Sequence, residues 1–252
     1  MALVNAELVH LTVDGPLAVV TLDSQANRNA LSRQLVTELF GALEAAEADD
    51  DVRVVLVRAE GRAFCSGADL AEATTDGMED GARRIVALQR LVATMSKPVV
   101  ARVHGAVRAG GIGIVAASDI VIAVDDATFA LTEVKLGLAA AIISLTVHAR
   151  MNPRAAALTT LGGEVFSGAD AAAYGLVTEA VPAAALDERV ATVCAQLATG
   201  APQGLRESKA ILNRELVARI DAHGEEMAAL SARLFASDDA REAMTAFLSR
   251  KK

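Results

Sequence analysis

The stretch "VRAGGIGIVAASDI", residues 107–120, places three glycines between a run of β-branched residues and a run of small residues. The preceding residues "VVARVHGAV" have the composition of a strand, and the small residues after Gly113 suit a closely packed helix. Glycines allow the backbone to approach another group closely, and free N–H groups at a helix start favour negative charge. The stretch therefore predicts a strand, a glycine turn and a helix that face an anion.

Two interpretations of that anion follow from the residues. The spacing of Gly111, Gly113 and Ala116 matches the G-x-G-x-x-A pattern of dinucleotide-binding folds, although the pattern lies in mid-chain instead of in a first βαβ unit. A second glycine turn, "GRAFCSGADL" at residues 61–70, also follows an apolar strand. Two such turns can aim two backbone N–H groups at one oxygen, which is the arrangement of an oxyanion hole.

The composition limits the class of protein. The 252 residues are 53% hydrophobic, carry a formal net charge of -8, and include one Tyr and no Trp. This length suits one large α/β core, and the acidic balance argues against a nucleic-acid partner. Cys65 and Cys194 show no metal-ligand spacing, so we expect a reduced cytoplasmic protein without a metal site. No apolar run is long enough to cross a bilayer, so no membrane association is expected.

The order of apolar and polar residues predicts the layout of the chain. Two strand-like runs flank Asp14-Gly15-Pro16, which predicts a hairpin. Ser32 is a predicted helix N-cap, and residues 99–107 predict one continuous strand. Strands alternate with helices to about residue 181, which favours a mostly parallel α/β core. The helical pattern after about residue 183 has apolar faces that suit either a neighbouring subunit or a cap on the same chain.

Several segments in order resemble the crotonase, or enoyl-CoA hydratase/isomerase, superfamily: "NRNALS" (27–32), "GRAFCSGADL" (61–70), "HGAVRAGGIGIVAASDI" (104–120), "ATFALTEVKLGL" (127–138) and "SKAILNR" (208–214). The resemblance implies an α/β fold with a crotonase-like spiral core of ββα units over residues 1–200. It also implies a C-terminal helical oligomerisation region over residues 201–252. Assembly as a homotrimer, or as a hexamer of two trimers, follows from the same resemblance.

The resemblance also implies a chemistry. Members of the family bind an acyl-CoA thioester and stabilise the enolate that forms at its carbonyl oxygen. By position, the two N–H donors are Ala68 and Gly110, and the proton carrier is Glu133. Burial among apolar neighbours should raise the pKa of that carboxyl, which suits a general acid or base. The family needs no prosthetic group, because coenzyme A is part of the substrate.

Residues for coenzyme A are implied in the same way. Arg28 is the cation expected near the phosphates or the adenosine, and the C-terminal Arg250, Lys251 and Lys252 are further candidates for the 3′-phosphate. Arg108, beside the second glycine turn, is expected to meet either a substrate carboxylate or a neighbouring subunit. The other residues expected along the path of coenzyme A are Ala30, Ala63, Ser66, Ala68, Asp69 and Leu70.

One position departs from the family pattern. Hydratases of the family that use two carboxylates carry the first at the position of Gly113, where this chain has no side chain. A single Glu at the position of Glu133 is the arrangement of the Δ3,Δ2-enoyl-CoA isomerases. Residues 129–138, "FALTEVKLGL", are most similar to a bacterial hydratase branch, so hydration of a 2-enoyl-CoA is favoured. Isomerisation and acyl-CoA binding without catalysis remain the alternatives.

Overall fold

A computed structural model of the chain describes residues 6–69, residue 72 and residues 78–249. Within them the strands are β1 (Val9–Asp14), β2 (Leu17–Leu22), β3 (Val54–Ala59), β4 (Ala63–Cys65), β5 (Val99–Val103), β6 (Ala106–Arg108), β7 (Ile120–Val124), β8 (Thr128–Ala130), β9 (Phe166–Ser167) and β10 (Glu179–Val181). The helices are α1 (Arg33–Ala48), α2 (Met78–Thr94), α3 (Gly110–Ala117), α4 (Ala141–Arg150), α5 (Pro153–Gly162), α6 (Gly168–Ala173), α7 (Leu186–Ala198), α8 (Pro202–Leu212), α9 (Arg214–Phe235) and α10 (Asp238–Ser249). Short 3-10 helices cover Gln25–Asn27, Glu133–Leu136 and Ala183–Ala185.

The strands form two sheets. The larger has the order β1-β2-β3-β5-β7-β10, and the smaller has the order β4-β6-β8-β9. The predicted hairpin is confirmed, because β1 pairs antiparallel with β2 across the Gly15-Pro16 turn. From β2 to β10 the neighbours in the larger sheet are parallel, as the alternation of strands and helices predicts.

Three successive strand pairs build the core as a spiral. In β3/β4, β5/β6 and β7/β8, the first strand joins the larger sheet and the second joins the smaller sheet. Helix α2 follows the first pair, α3 follows the second, and a 3-10 turn with α4 follows the third. The predicted spiral of ββα units is therefore confirmed.

The prediction of one continuous strand over residues 99–107 is wrong. The chain leaves the larger sheet after Val103 and enters the smaller sheet at Ala106. At the break, a side chain on Gly105 would begin 2.6 Å from the carbonyl oxygen of Arg62. The uniform β-branched composition of the segment conceals this change of sheet, because both halves are strands.

Helix α1 shows how local sequence sets an element on the core. The Ser32 hydroxyl accepts a hydrogen bond from the Leu35 N–H at 3.2 Å, so the predicted N-cap is confirmed. Leu35, Leu39 and Leu43, spaced by four residues, are all buried in the main core. Ser32 therefore begins the helix where its apolar face meets the sheet.

The long C-terminal helix α9 packs on α2 and α4 of its own chain. Leu216 and Ile220 of α9 are buried against Ala93 and Leu145. The sequence allowed these apolar faces to pack either on a neighbouring subunit or on the same chain, and in the structure α9 packs on its own chain. None of the described helices combines the length and the apolar character that a membrane crossing requires.

Candidate active site

The two glycine turns lie side by side because the strands that lead into them are neighbours. Strands β4 and β6 are paired in parallel, so the chain leaves both at the same edge of the smaller sheet. Gly67 has a φ of 92°, a left-handed conformation that disfavours other residues. A side chain at Gly67 would begin 2.8 Å from the Cβ of Ala109. The two turns are therefore in direct contact, and glycine is required for that contact.

Each turn contributes one of the two residues predicted as N–H donors to the lining of the same cavity. Ala68 and Gly110 both line a cavity of about 620 Å³. Gly110 is the first residue of α3, where N–H groups have no carbonyl partner within the helix. Among the described residues, neither the Ala68 N–H nor the Gly110 N–H has a backbone acceptor. Their role as donors to a ligand oxygen stays a prediction.

Glu133 lines the same cavity from the smaller sheet's side. It is the first residue of the 3-10 turn that follows β8, and its carboxyl oxygen Oε2 is buried. No hydrogen-bond partner for Oε2 exists among the described residues. Burial raises the pKa of the Glu133 carboxyl to about 7, against the opposite effect of a hydrogen bond from its own backbone N–H. At neutral pH this group can therefore either donate or accept a proton.

The space beside Gly113, where a second carboxylate would stand, is filled by uncharged side chains. A Cβ at Gly113 would lie 2.8 Å from Cγ2 of Ile143 and 3.2 Å from the side-chain amide of Gln89. Gln89 is fully buried and accepts a hydrogen bond from the Thr146 hydroxyl at 2.6 Å. Its amide nitrogen donates to the Ile142 carbonyl at 3.1 Å. The packing has thus closed this position to a larger side chain.

The remaining walls come from helices whose contribution the sequence did not predict. Helix α1 begins beside the cavity, α2 and α4 form much of its wall, and α9 closes it near its C-terminal end. These residues are ordinary members of amphipathic helices, so no motif distinguishes them from core residues. The apolar helix residues of the wall include Val36, Met78, Ala82, Ile85, Ile142, Ile143 and Phe235, and Leu31 lines the cavity just before α1 begins.

The residues predicted for coenzyme A divide into two groups. Ala68 and Asp69 line the cavity, whereas Arg28, Ala30, Ala63 and Ser66 lie outside it. The second group forms one adjoining region, because the Ser66 N–H donates to the Arg28 carbonyl at 3.0 Å. In that region Arg28 is exposed, while Ala30 and Ala63 are buried. Their binding role stays a prediction.

Other predicted residues fall elsewhere. Leu70, Arg250, Lys251 and Lys252 lie outside the described residues. Arg108 lies outside the cavity, and its guanidinium donates to the carbonyl and the hydroxyl of Thr128. Arg108 therefore links strand β6 to strand β8.

Neither cysteine lines the cavity. Cys65 and Cys194 are buried free thiols, and burial raises the pKa of Cys65 to about 12. No group of three or more His, Cys, Asp or Glu side chains that could hold a metal ion occurs in the part of the chain that the structure describes.

Comparison with known proteins identifies the relatives of this arrangement. A family profile described as enoyl-CoA hydratase/isomerase matches residues 13–252. The crystal structure of an enoyl-CoA hydratase from Mycobacterium avium is 42% identical and covers 97% of each chain, with a TM-score of 0.92.

Two curated proteins illustrate the range of named activities among the relatives. A Bacillus subtilis (strain 168) protein named probable enoyl-CoA hydratase is 33% identical over 250 residues, which are 97% of this chain and 96% of the relative. The (7aS)-7a-methyl-1,5-dioxo-2,3,5,6,7,7a-hexahydro-1H-indene-carboxyl-CoA hydrolase of Mycobacterium tuberculosis is 36% identical over 203 residues, 77% of this chain and 79% of the relative. Both names describe chemistry on a coenzyme A thioester.

Proposed function

The chain belongs to the enoyl-CoA hydratase/isomerase family, and we propose that it hydrates a 2-enoyl-CoA with Glu133 as its single proton carrier. The N–H groups of Ala68 and Gly110 hold the thioester carbonyl oxygen, as an oxyanion hole does. In this proposal coenzyme A takes part only as a portion of the acyl-CoA substrate, and no prosthetic group is needed.

The proposed reaction moves electrons toward the two amides. The oxygen of a water molecule adds to Cβ, and the electron pair of the double bond shifts to the thioester oxygen. The resulting enolate is stabilised by the two N–H donors. Glu133 gives its proton to Cα as the carbonyl re-forms, and the proton that the water loses restores the neutral carboxyl group. Water and the 2-enoyl-CoA thus become a 3-hydroxyacyl-CoA.

One observation carries this proposal. The Glu133 Oε2 atom is buried without a hydrogen-bond partner among the described residues, and Glu133 lines the cavity that Ala68 and Gly110 also line. A buried carboxyl oxygen without a partner is costly to the folded state unless a ligand or a proton satisfies it. Its pKa of about 7 keeps a large neutral fraction at neutral pH, which a proton donor to Cα requires.

A second reaction is favoured by the packing at Gly113. Because Ile143 and Gln89 fill the space beside Gly113, no carboxylate can activate water from that position. Isomerisation of a 3-enoyl-CoA needs no water: the Glu133 carboxylate removes a proton from C2, and the same proton is then placed on C4. This reaction uses the same two amides and the same carboxyl group.

Two substrates separate these reactions. Hydration removes the conjugated absorbance of crotonyl-CoA, whereas isomerisation creates that absorbance from a 3-enoyl-CoA.

For hydration, kcat/KM should fall as the pH rises through about 7, because the neutral Glu133 carboxyl acts as the proton donor. For isomerisation, kcat/KM should rise over the same range, because the Glu133 carboxylate acts as the base. Glu133→Gln should lower kcat by roughly 10²–10⁴ in either case. Turnover of the 3-enoyl-CoA alone would replace hydration by isomerisation, and tight binding without turnover of either would favour a non-catalytic acyl-CoA-binding protein.

We also propose that the protein is a homotrimer or a hexamer of two trimers. Exposed apolar side chains on α5 and beside it support a subunit contact there, since 64% of Leu158, 75% of Leu161 and 59% of Val165 are exposed.

The division of the chain at residue 200 and the role of residues 201–252 in assembly remain predictions. The cytoplasmic location predicted from the sequence is consistent with two buried free thiols.

A further inference from the structure

We propose that the acyl group of the substrate carries a second anionic group, such as a carboxylate, which Arg33 and Arg84 bind. This inference rests on the proposed function, because it names the class of acyl-CoA that the cavity accepts. The observation behind it is that two arginine side chains on the wall of the cavity that holds Glu133 have no acidic partner among the described residues.

The arginines around the cavity differ in how they are neutralised. Arg83 has three acidic partners, the nearest of which are Glu79 and Glu225 at 2.6 Å each. Arg84 donates to the Thr37 hydroxyl at 3.1 Å, and no acidic partner for it exists among the described residues. Side chains of described residues form hydrogen bonds with Arg33 only through its backbone N–H, which donates to Glu72, and its carbonyl, which accepts from Thr37. Two of the three cations are therefore available to an anion.

Apart from Glu133, the described acidic residues that line the cavity have contacts with groups other than these two guanidiniums. Asp80 pairs with Arg83, and a Glu72 carboxylate oxygen accepts a hydrogen bond from the backbone N–H of Arg33 at 2.8 Å. Asp69 accepts a hydrogen bond from the Asn27 side chain at 3.4 Å. None of these contacts involves the guanidinium groups of Arg33 or Arg84.

The position of the two arginines points to the acyl group instead of the coenzyme A phosphates. Arg33 lies on α1 and Arg84 on α2, the helices that also supply the apolar wall residues Val36, Ala82 and Ile85. Of the residues predicted for coenzyme A, Arg28, Ala30, Ala63 and Ser66 lie outside this cavity, whereas Ala68 and Asp69, from the turn that carries a predicted oxyanion donor, line it. A carboxylate beyond an apolar carbon chain would fit this order of apolar wall and guanidinium, since arginine binds carboxylates with paired hydrogen bonds.

The binding of non-reacting ligands tests this inference separately from catalysis. Glutaryl-CoA, adipyl-CoA and pimelyl-CoA each replace the terminal methyl group of pentanoyl-CoA, hexanoyl-CoA and heptanoyl-CoA by a carboxylate. Calorimetric titration of the full-length protein should show at least one dicarboxylic ligand bound about tenfold more tightly than its methyl counterpart, the factor that one charge-assisted hydrogen bond contributes. Because these acyl groups are saturated, the result does not depend on hydration or isomerisation.

Matched variants identify the source of the preference. Arg33→Met and Arg84→Met should each weaken the dicarboxylic ligand several-fold without affecting its methyl counterpart, and Arg84→Lys should retain part of the preference. Arg206→Met removes an exposed arginine of α8 outside the cavity and should change neither affinity. Equal binding of both ligand series by the unaltered protein would overturn the inference. An equal loss for both series in Arg84→Met would overturn it as well, because that result would place the arginine at a coenzyme A phosphate.

Discussion

The Glu133 carboxyl is buried, and its pKa lies near neutral pH. Its pKa of about 7 exceeds the unfolded value near 4.5, so the folded protein holds this proton more tightly than the unfolded chain. The folded state therefore loses stability as the pH rises from about 4.5 to about 7, where the buried group becomes charged. The burial of this carboxyl group thus costs the folded state stability above neutral pH.

Replacement of this carboxyl should reveal that cost. Glu133→Gln should leave the melting temperature nearly unchanged at pH 5, where the carboxyl is neutral, and raise it at pH 8.5, where the carboxylate is buried. Differential scanning calorimetry at both pH values measures the difference. Glu164→Gln is the matched control, because Glu164 is exposed and pairs with Lys135 on the surface. A melting temperature that rises equally at both pH values would contradict a raised pKa at Glu133.

Gly113 stands where the family pattern has a carboxylate, and Ile143 and Gln89 pack closely against it. Gly113→Glu should destabilise the protein by more than the roughly 1–3 kcal/mol typical of overpacking, because it also places a carboxyl beside Ile143 and Gln89. Urea unfolding would measure the loss, with Gly113→Ala as the smaller step. A stable Gly113→Glu variant with faster hydration would show that the space is open and that a second carboxylate can work there.

At the scale of elements, a buried ion pair holds the C-terminal helices on the spiral core. The Lys209 ammonium of α8 lies 2.8 Å from an Asp119 carboxylate oxygen and donates to the carbonyls of Val92 and Lys97. Asn213 also donates to Asp119, at 2.8 Å. These contacts connect the start of α9 with the ends of α2 and α3. The segment "SKAILNR" thus has a structural role that the resemblance alone did not explain.

The loss of this ammonium group should be costly. Lys209→Met leaves the Asp119 carboxylate without its cation and two buried carbonyls without a donor, so we expect a loss of about 3–5 kcal/mol in the free energy of unfolding. Chemical denaturation would measure it. Lys135→Met, which removes an exposed pair with Glu164, should cost less than about 1 kcal/mol. Similar losses in the two variants would show that the Lys209 pair does not anchor the helices.

The elements also show what the sequence can predict. The hairpin, the N-cap at Ser32 and the two glycine turns have local causes, and the structure confirms where they lie. The break at Gly105 and the walls supplied by α2 and α9 depend on contacts between residues far apart in the chain. Ala82 and Phe235 carry no local signal that distinguishes a cavity wall from a core position. The packing beside Gly113 was unpredictable for the same reason.

At the scale of the whole molecule, an exposed apolar surface lies next to the turn that holds Glu133. Leu158 and Leu161 of α5 are mostly exposed, and a side chain at Gly163 would meet Val134 and Lys135 at 3.1 Å. If this surface is the subunit contact, Leu161→Asp should convert the trimer to monomers, because a charge would be buried at the interface. Light scattering after size-exclusion chromatography measures the mass. Val13→Asp, on strand β1, is the control, and an unaltered protein that is monomeric would refute the assembly.

The most direct test of the proposed chemistry is a crystal structure of the protein with acetoacetyl-CoA. We predict that the thioester oxygen lies about 2.7–3.1 Å from both the Ala68 and Gly110 nitrogen atoms. The Glu133 carboxyl should be the nearest ionisable group to Cα. A thioester oxygen bound by neither amide, or a Glu133 carboxyl turned away from the acyl group, would contradict the proposal.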